Sequence, residues 1–177
     1  AVNQGLLQVG NAANPGTVLG AKVTVGGGGV LTGTGSVASL VNGGVVQPDP
    51  AAGLTVSGNF TNSPGGTLSV VVGNPASSGL TVGGTANLGG TLVVVNSAPL
   101  SGSAQYTVVT AGGGVNGTFG TVKLPDTPFY DTTLTYASNQ VGVTVSRNDT
   151  SLASVAVTPN QQAVAGALSS SGAPAAV

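Results

Sequence analysis

Residues 54–72 read Leu-Thr-Val-Ser-Gly-Asn-Phe-Thr-Asn-Ser-Pro-Gly-Gly-Thr-Leu-Ser-Val-Val-Val, and residues 80–95 repeat this stretch as Leu-Thr-Val-Gly-Gly-Thr-Ala-Asn-Leu-Gly-Gly-Thr-Leu-Val-Val-Val. The opening leucines are Leu54 and Leu80, and the Gly-Gly-Thr-Leu motifs begin at Gly65 and Gly89. Each copy holds three short runs of alternating apolar residues, which glycines separate. A repeat of this length is typical of a stacked solenoid, whose coils bury their apolar faces against each other. The repeat therefore predicts a β-solenoid.

The alternation within the repeat also predicts which side of its strand each residue occupies. Thr55 and Asn59 are predicted to point outwards. Val71, Val93 and Val95 fall on the same outward phase, and valine on both faces indicates a strand that is covered on both sides. We therefore expect a later part of the chain to pack there. The residues predicted to point inwards in the first copy are Leu54, Val56, Phe60, Leu68, Val70 and Val72.

The composition favours an all-β fold and excludes several functions. Charged residues make up 4% of the chain, where about a quarter is usual, and glycine occupies 31 positions. Valine, leucine and threonine are abundant between the glycines, and these residues favour strands. The only cations are Lys22, Lys123 and Arg147, too few and too scattered to bind the phosphates of a nucleic acid. Cysteine is absent, which excludes disulfides and fits an exported bacterial protein.

Residue types that carry catalysis are scarce. Histidine is absent, which removes the Ser-His-Asp triad, the usual metal ligands and the commonest general base. Asp126 and Asp131 are the only carboxylates close in sequence, and we expect a polar loop there rather than a glycosidase pair. The glycine run 26–29 precedes a strand pattern, whereas a phosphate-binding loop needs a following helix. We therefore expect no catalytic residue, no cofactor and no metal.

The chain changes character after residue 100. Five of the six aromatic residues lie there, and residues 132–137 and 140–145 alternate around Ser138-Asn139 as in a β-hairpin. We expect this part to cap the solenoid, since an open terminal coil would leave an adhesive sheet edge. A sugar-binding platform is the alternative role for these aromatic residues. The residues expected to form the core of the cap are Tyr106, Phe119, Phe129, Tyr130, Leu134 and Tyr136.

The last segment predicts a short helix. Thr158 is a capping residue, Pro159 occupies the first helical position, and Gln161 follows the cap by three residues. The helix is predicted over 159–168, with a narrow apolar stripe and no partner in this chain, and would be marginal by itself. The predicted organisation is solenoid coils over 1–100, a cap over 101–150 and a linker with a short helix over 151–177.

An ordered series of glycine-rich motifs resembles the passenger-associated transport repeat of bacterial autotransporters, the proteins of type V secretion. Residues 28–37 read Gly-Gly-Val-Leu-Thr-Gly-Thr-Gly-Ser-Val, and residues 43–48 read Gly-Gly-Val-Val-Gln-Pro. Residues 53–60, Gly-Leu-Thr-Val-Ser-Gly-Asn-Phe, and the Gly-Gly-Thr-Leu of 65–68 continue the pattern.

Later motifs resemble the autochaperone region near the C-terminal end of such a passenger. They are Tyr-Thr-Val-Val at 106–109, Gly-Thr-Phe at 117–119 and Leu-Thr-Tyr at 134–136. The run Thr-Pro-Asn-Gln-Gln-Ala-Val-Ala at 158–165 resembles the segment that joins the passenger to its translocator barrel. The whole resemblance spans about residues 22–168.

The resemblance implies a right-handed parallel β-helix that a β-hairpin or sandwich-like autochaperone module caps. It implies a module that templates β-helix folding and supports secretion across the outer membrane. The implied partners are the upstream passenger β-helix and the C-terminal translocator β-barrel of the same polypeptide, the outer-membrane assembly machinery, and a host-surface ligand of the full passenger. The implied location is the bacterial cell surface or the secreted fraction, reached through the periplasm and outer membrane.

Three classes of function remain open from the sequence. The favoured hypothesis is a non-catalytic structural and folding module of an autotransporter passenger. The alternative is an adhesive or ligand-binding β-solenoid surface, although the Thr-x-Thr pairs at 32–34 and 133–135 do not recur at one position of the repeat. An enzyme is the third class, which the missing histidine and the sparse charge disfavour.

Overall fold

The computed structural model describes residues 1–73, 79–97, 103–125 and 127–170. In this part of the chain the protein is mostly β-strand, with two short helices near its C-terminal end. The strands are β1 (Val2–Gln8), β2 (Val18–Gly33), β3 (Ser36–Asn42), β4 (Val45–Pro48), β5 (Leu54–Val56), β6 (Phe60–Asn62), β7 (Thr67–Val72), β8 (Leu80–Val82), β9 (Ala86–Leu88), β10 (Thr91–Asn96), β11 (Ala104–Ala111), β12 (Val115–Gly117), β13 (Thr121–Lys123), β14 (Tyr130–Tyr136) and β15 (Gln140–Arg147). The helices are α1 (Leu152–Val155) and α2 (Pro159–Ser170).

The described strands form one curled sheet, in which the chain returns repeatedly to the same three ladders. Within each ladder, strands from successive turns of the chain pair in parallel. The first ladder stacks Val37, Val56, Val82 and Ala111. The second stacks Leu40, Phe60, Ala86 and Val115. The third stacks Leu31, Val46, Leu68, Leu92 and Val122.

The repeat in the sequence is the repeat of the structure. Leu54 of β5 pairs with Leu80 of β8, and Thr67 of β7 pairs with Thr91 of β10. These are the same positions that the two copies of the repeat align in the sequence. The second copy is shorter than the first. The missing residues fall in the turn before the third ladder, so the first and third ladders both stay in register.

The core lies inside the curled sheet, where the inward residues of neighbouring strands stack on each other. All six residues predicted to point inwards in the first copy are buried, and Thr55 and Asn59, which were predicted to point outwards, are exposed. The prediction that a later segment covers the outward valines is wrong at Val95, whose side chain is 45% exposed.

The predicted hairpin is confirmed. β14 and β15 pair antiparallel on either side of residues 137–139, and β15 also pairs antiparallel with β11. Since β11 pairs in parallel with β8, the hairpin continues the same sheet as the coils. The predicted boundary between residues 100 and 101 lies outside the described residues, and the division into coils, cap and linker stays a prediction.

The predicted helix is α2, which extends to Ser170. The expectation that it has no partner in the chain is wrong, because the one-turn helix α1, which the sequence did not predict, packs against it. Ala165 of α2 is buried, whereas Val164 is exposed. Within the described residues, neither helix combines the length and the apolar character that crossing a membrane requires.

Candidate functional site: a closed sheet edge and a buried asparagine pair

The residues predicted as the core of the cap differ in how deeply they are buried. Phe119 is buried at 6% exposure, and Tyr106, Tyr130 and Leu134 are partly buried against the main core. Phe129 is half-buried, and Tyr136 is 39% exposed. The fully buried side chains of the hairpin are valines of β15, which the sequence interpretation missed although they alternate strictly. They are Val141, Val143 and Val145.

Tyr136 has a positioning role instead of a core role. Its hydroxyl oxygen accepts a hydrogen bond from the backbone N–H of Phe119 at 3.1 Å. This bond joins the end of β14 to the loop between β12 and β13. It therefore fastens the hairpin to the last coil beside the buried Phe119 ring.

Replacing Tyr136 by phenylalanine should lower the free energy of unfolding by about 0.5–1.5 kcal/mol, because one hydrogen bond is lost and the ring remains. Denaturant unfolding measures the change. Tyr106→Phe is the matched control, since its hydroxyl bonds to no group in the described part of the chain. We expect the control to change stability by less than about 0.5 kcal/mol. Equal losses in both variants would contradict the assigned role of Tyr136.

The hairpin closes one edge of the last coil. β15 lies along β11, and backbone bonds from the connecting turn reach further: the Ala111 N–H donates to Asn139 O and the Val115 N–H donates to Ser138 O, each at 2.8 Å. One N–H group in each of the first two ladders is thereby satisfied where another coil would otherwise pair, whereas β13 of the third ladder pairs only with β10 among the described strands. An edge with its hydrogen bonds satisfied no longer accepts a further strand.

The opposite end of the sheet is open. The part of β2 from Val18 to Val25 pairs with β3 on one side, and apart from Val25, which pairs with Val2, no strand among the described residues pairs with its other side. Val18 is 71% exposed there. The two ends of the first ladder therefore differ: β15 covers the outer side of β11, whereas no described strand covers the outer side of β2 at residues 18–24.

Two asparagines are buried in the second ladder, and the sequence interpretation did not single them out. Asn42 and Asn62 are paired residues of β3 and β6 and are almost completely buried. Asn42 Nδ2 donates to Asn62 Oδ1 at 2.7 Å and to Thr67 O at 2.9 Å, and Asn42 Oδ1 accepts from the Gly44 N–H at 3.1 Å. We call these two residues the asparagine pair.

Asn62 extends this network to the next coil. Its Nδ2 donates to Gly89 O at 2.6 Å and to Gly66 O at 3.2 Å. The pair thus connects the turns of three successive coils through buried hydrogen bonds, which fix the register because each donor needs its own acceptor. In the sequence, each of these asparagines stands shortly before a Gly-Gly, and this position could have indicated the asparagine pair.

The second glycine of the Gly-Gly that follows each asparagine is sterically required. A Cβ at Gly66 would lie 2.8 Å from Asn62 Oδ1 and would meet the backbone carbonyl of Asn42 still more closely. A Cβ at Gly44 would similarly meet the carbonyl oxygens of Gly26 and Gly29. Glycine has no Cβ, so the turns of neighbouring coils can approach each other and the asparagine can reach the carbonyl groups.

The predicted capping residues of the linker helix have the predicted geometry. Thr158 Oγ1 accepts from the Gln161 N–H at 3.3 Å, and Gln161 Oε1 accepts from the Thr158 N–H at 3.0 Å. Pro159 is the first residue of α2. This reciprocal arrangement is a capping box, which satisfies N–H groups that the first turn leaves without helical partners.

An apolar groove of about 420 Å³ lies between the two helices. Val155 of α1 and Val164 and Leu168 of α2 contribute to its lining. All three side chains are substantially exposed. The lining residues in the described part of the chain carry no charge, so the groove offers shape and apolar surface but no group for acid, base or anion chemistry.

Asp49 and Asp131 have local structural roles. Asp49 Oδ1 accepts from the N–H groups of Ala51 and Ala52 in a turn. Asp131 Oδ1 accepts from Asn148 Nδ2 at 3.1 Å. Asp126 lies outside the described residues, so its distance from Asp131 stays unspecified. Among the described residues, no group of three or more potential metal-binding side chains comes together.

A scan against protein-family models found no matching family, and a search of curated proteins found no similar sequence.

Proposed function

We propose that the curled sheet is a right-handed parallel β-helix and that the chain is a folding module: the last coils and the autochaperone cap of an autotransporter passenger. Three parallel ladders that follow the sequence repeat support the β-helical interpretation. The right-handed sense follows from the strong preference of parallel crossover connections for that hand. The ordered motifs in the sequence support the assignment to a passenger.

The observation that carries the proposal is the pairing of β11. This strand pairs in parallel with β8 of the preceding coil and antiparallel with β15 of the hairpin. The hairpin can therefore form locally and then present β11 as a template for β8. Contacts between β14 and β15 are close in sequence and cost little loop entropy. Pairing β15 with β11 closes a loop at least as long as a coil repeat, and this one closure then supplies a paired edge for β8.

The difference between the two ends gives the templating a direction. The hairpin covers β11 at the C-terminal end of the first ladder, and the outer side of β2 at residues 18–24 is available for a preceding strand. In a stack where each coil contacts only its neighbours, folding propagates from an existing edge. The module would thus order the upstream passenger β-helix of the same polypeptide, while the translocator β-barrel and the outer-membrane assembly machinery hold its other end. The corresponding location is the cell surface or the secreted fraction, and no catalysis is assigned to the module.

The order of folding in the full chain tests this proposal. Pulse-labelled amide exchange during refolding should protect β11, β14 and β15 before β3, β5 and β6. Phe119→Ala should delay protection of the coils as well as the cap, because the buried ring supports the template. Val95→Ala removes an exposed side chain from a coil and should leave the order unchanged. If the coils become protected first, or if Phe119→Ala slows only the cap, templating is wrong.

A second candidate is an adhesive surface, which one observation favours. Thr55, Thr81 and Thr110 are exposed residues in register on adjacent strands of the first ladder. Their hydroxyl groups form a row across neighbouring strands. The Thr-x-Thr pairs at 32–34 and 133–135, in contrast, do not recur at one position of the repeat. Binding to immobilised host glycans that Thr81→Val abolishes, with refolding order unchanged, would support this candidate over the folding module.

A further inference from the structure

Two asparagines in this chain precede a glycine, Asn42 before Gly43 and Asn116 before Gly117. In such a dipeptide the backbone nitrogen of the glycine can attack the side-chain carbonyl carbon of the asparagine. Glycine allows this because it lacks a side chain and its backbone rotates freely. Asparagine is one of the residue types most prone to such chemical damage. The two dipeptides are identical, but Asn42 is buried in the structure and Asn116 is exposed.

Every group that reacts at Asn42 is held in the folded protein. The Gly43 N–H, the nucleophile, donates to Val25 O at 2.7 Å. The side-chain amide is fixed on both sides, with Nδ2 bound to Asn62 Oδ1 and Thr67 O, and Oδ1 bound to the Gly44 N–H. The Asn42 side chain is fully buried, so the water that the reaction consumes is also excluded.

We propose that Asn42 is a deamidation site that folding closes, so that its modification marks chains that remained open. In an open chain, Gly43 N forms a bond to Asn42 Cγ. The Cγ–Nδ2 bond breaks, and ammonia leaves with the proton of the backbone amide. Water then opens the five-membered imide ring at either carbonyl and gives aspartate or isoaspartate. No oxidant, reductant or other reactant is required.

The product is incompatible with the folded site. The carboxylate oxygen that replaces Nδ2 would face Asn62 Oδ1 and Thr67 O, which are both hydrogen-bond acceptors. An acceptor facing two acceptors, with a negative charge out of contact with water, is strongly unfavourable. Isoaspartate additionally inserts a backbone atom between β3 and the Gly-Gly turn, which shifts the register. Deamidation at Asn42 therefore prevents the coil from closing again.

Asn116 provides an internal comparison. It lies on β12, is exposed, and donates through Nδ2 to the exposed Asn87 Oδ1 at a long 3.4 Å. Here a carboxylate would face water and would lose one weak hydrogen bond. The folded protein should therefore tolerate the aspartate product at Asn116, whereas it excludes the same product at Asn42.

Ageing the full chain at mildly alkaline pH, folded and in denaturant, tests the proposal. Peptide mass spectrometry quantifies each product. In denaturant the two sites should react at similar rates, because the dipeptides are the same. In the folded chain Asn42 should react slower by a factor of about 100 or more, because reaction requires opening of the core. Reaction of Asn42 at the same rate in both conditions would overturn the proposal.

Refolding of the chains aged in denaturant provides the second measurement. Protease-resistant, refolded molecules should contain unmodified Asn42 but should retain the aspartate product at Asn116. The substitution Asn42→Asp should likewise give no protease-resistant protein at neutral pH, and the matched Asn116→Asp should fold as the unsubstituted chain does. Recovery of modified Asn42 in the folded fraction, or normal folding of Asn42→Asp, would show that the site tolerates the product and that the proposal is wrong.

Discussion

Replacing Asn62 by alanine should lower the free energy of unfolding by about 2–4 kcal/mol, because Gly89 O loses its donor, at a cost of about 1–3 kcal/mol, and two further buried groups each lose one of their hydrogen bonds, at about 0.5–1.5 kcal/mol each. The groups that lose a hydrogen bond are Asn42 Nδ2, Gly66 O and Gly89 O, which belong to three successive coils. Gly66 O keeps the hydrogen bond that it accepts from the Thr91 N–H. Asn42 Nδ2 keeps its bond to Thr67 O, which limits the loss at that group. Urea unfolding followed by circular dichroism measures the effect.

Asn87→Ala is the matched control for Asn62→Ala. Asn87 is exposed on the same ladder, and its Oδ1 accepts only the long hydrogen bond from Asn116 in the described part of the chain. We expect this control to change stability by less than about 0.5 kcal/mol. The double variant Asn42→Ala with Asn62→Ala should cost clearly less than the sum of the two single variants, because both remove the same network. Additive losses, or a loss at Asn62 no larger than at Asn87, would contradict the assigned network.

Truncating Phe60 to alanine should cost about 3–5 kcal/mol, the usual loss for a fully buried aromatic ring. Phe60 is 0% exposed and stacks between Leu40 and Ala86 of the neighbouring coils. The small Ala86 leaves the ring as the main filling of that part of the core, so the truncation creates a cavity that neighbours fill poorly. The loss should appear as earlier unfolding in urea.

Two further variants show whether volume is the cause. Phe60→Leu keeps most of the apolar volume and should cost less than about 1.5 kcal/mol. Val95→Ala removes methyl groups from a side chain that is 45% exposed and should cost less than about 0.5 kcal/mol. A Phe60→Ala loss as small as that of Val95→Ala would mean that the coil interior at this position is not packed as described.

The aromatic residues show where the sequence interpretation of the cap was wrong. Tyr130, Leu134 and Tyr136 lie on β14, which is the edge strand of the described sheet. A strand with a neighbour on one side only leaves even a large ring partly exposed, as Tyr136 is. β15 lies between β11 and β14, so its smaller valines are fully buried. Strand order decides burial here, and residue size does not reveal strand order.

The linker also combines a feature that the sequence predicts with one that it does not. The capping box at Thr158 and Gln161 was predictable, since it depends only on residues three apart. The packing of α1 against α2 was not, because one turn of helix has no detectable periodicity and a contact between two helices depends on the path of the chain between them.

The sequence by itself determined the β-rich fold, the coil repeat and the inward phase of its residues. These properties depend on local rules: an alternation of two residues along each strand, and glycine where the chain turns. Only the tertiary structure decided that Asn42 and Asn62 meet, that β15 instead of the aromatic strand is buried, and that β15 covers the outer side of β11. Each of these depends on which strand lies beside which, and strand pairing is a long-range choice whose energy comes from contacts between residues distant in sequence.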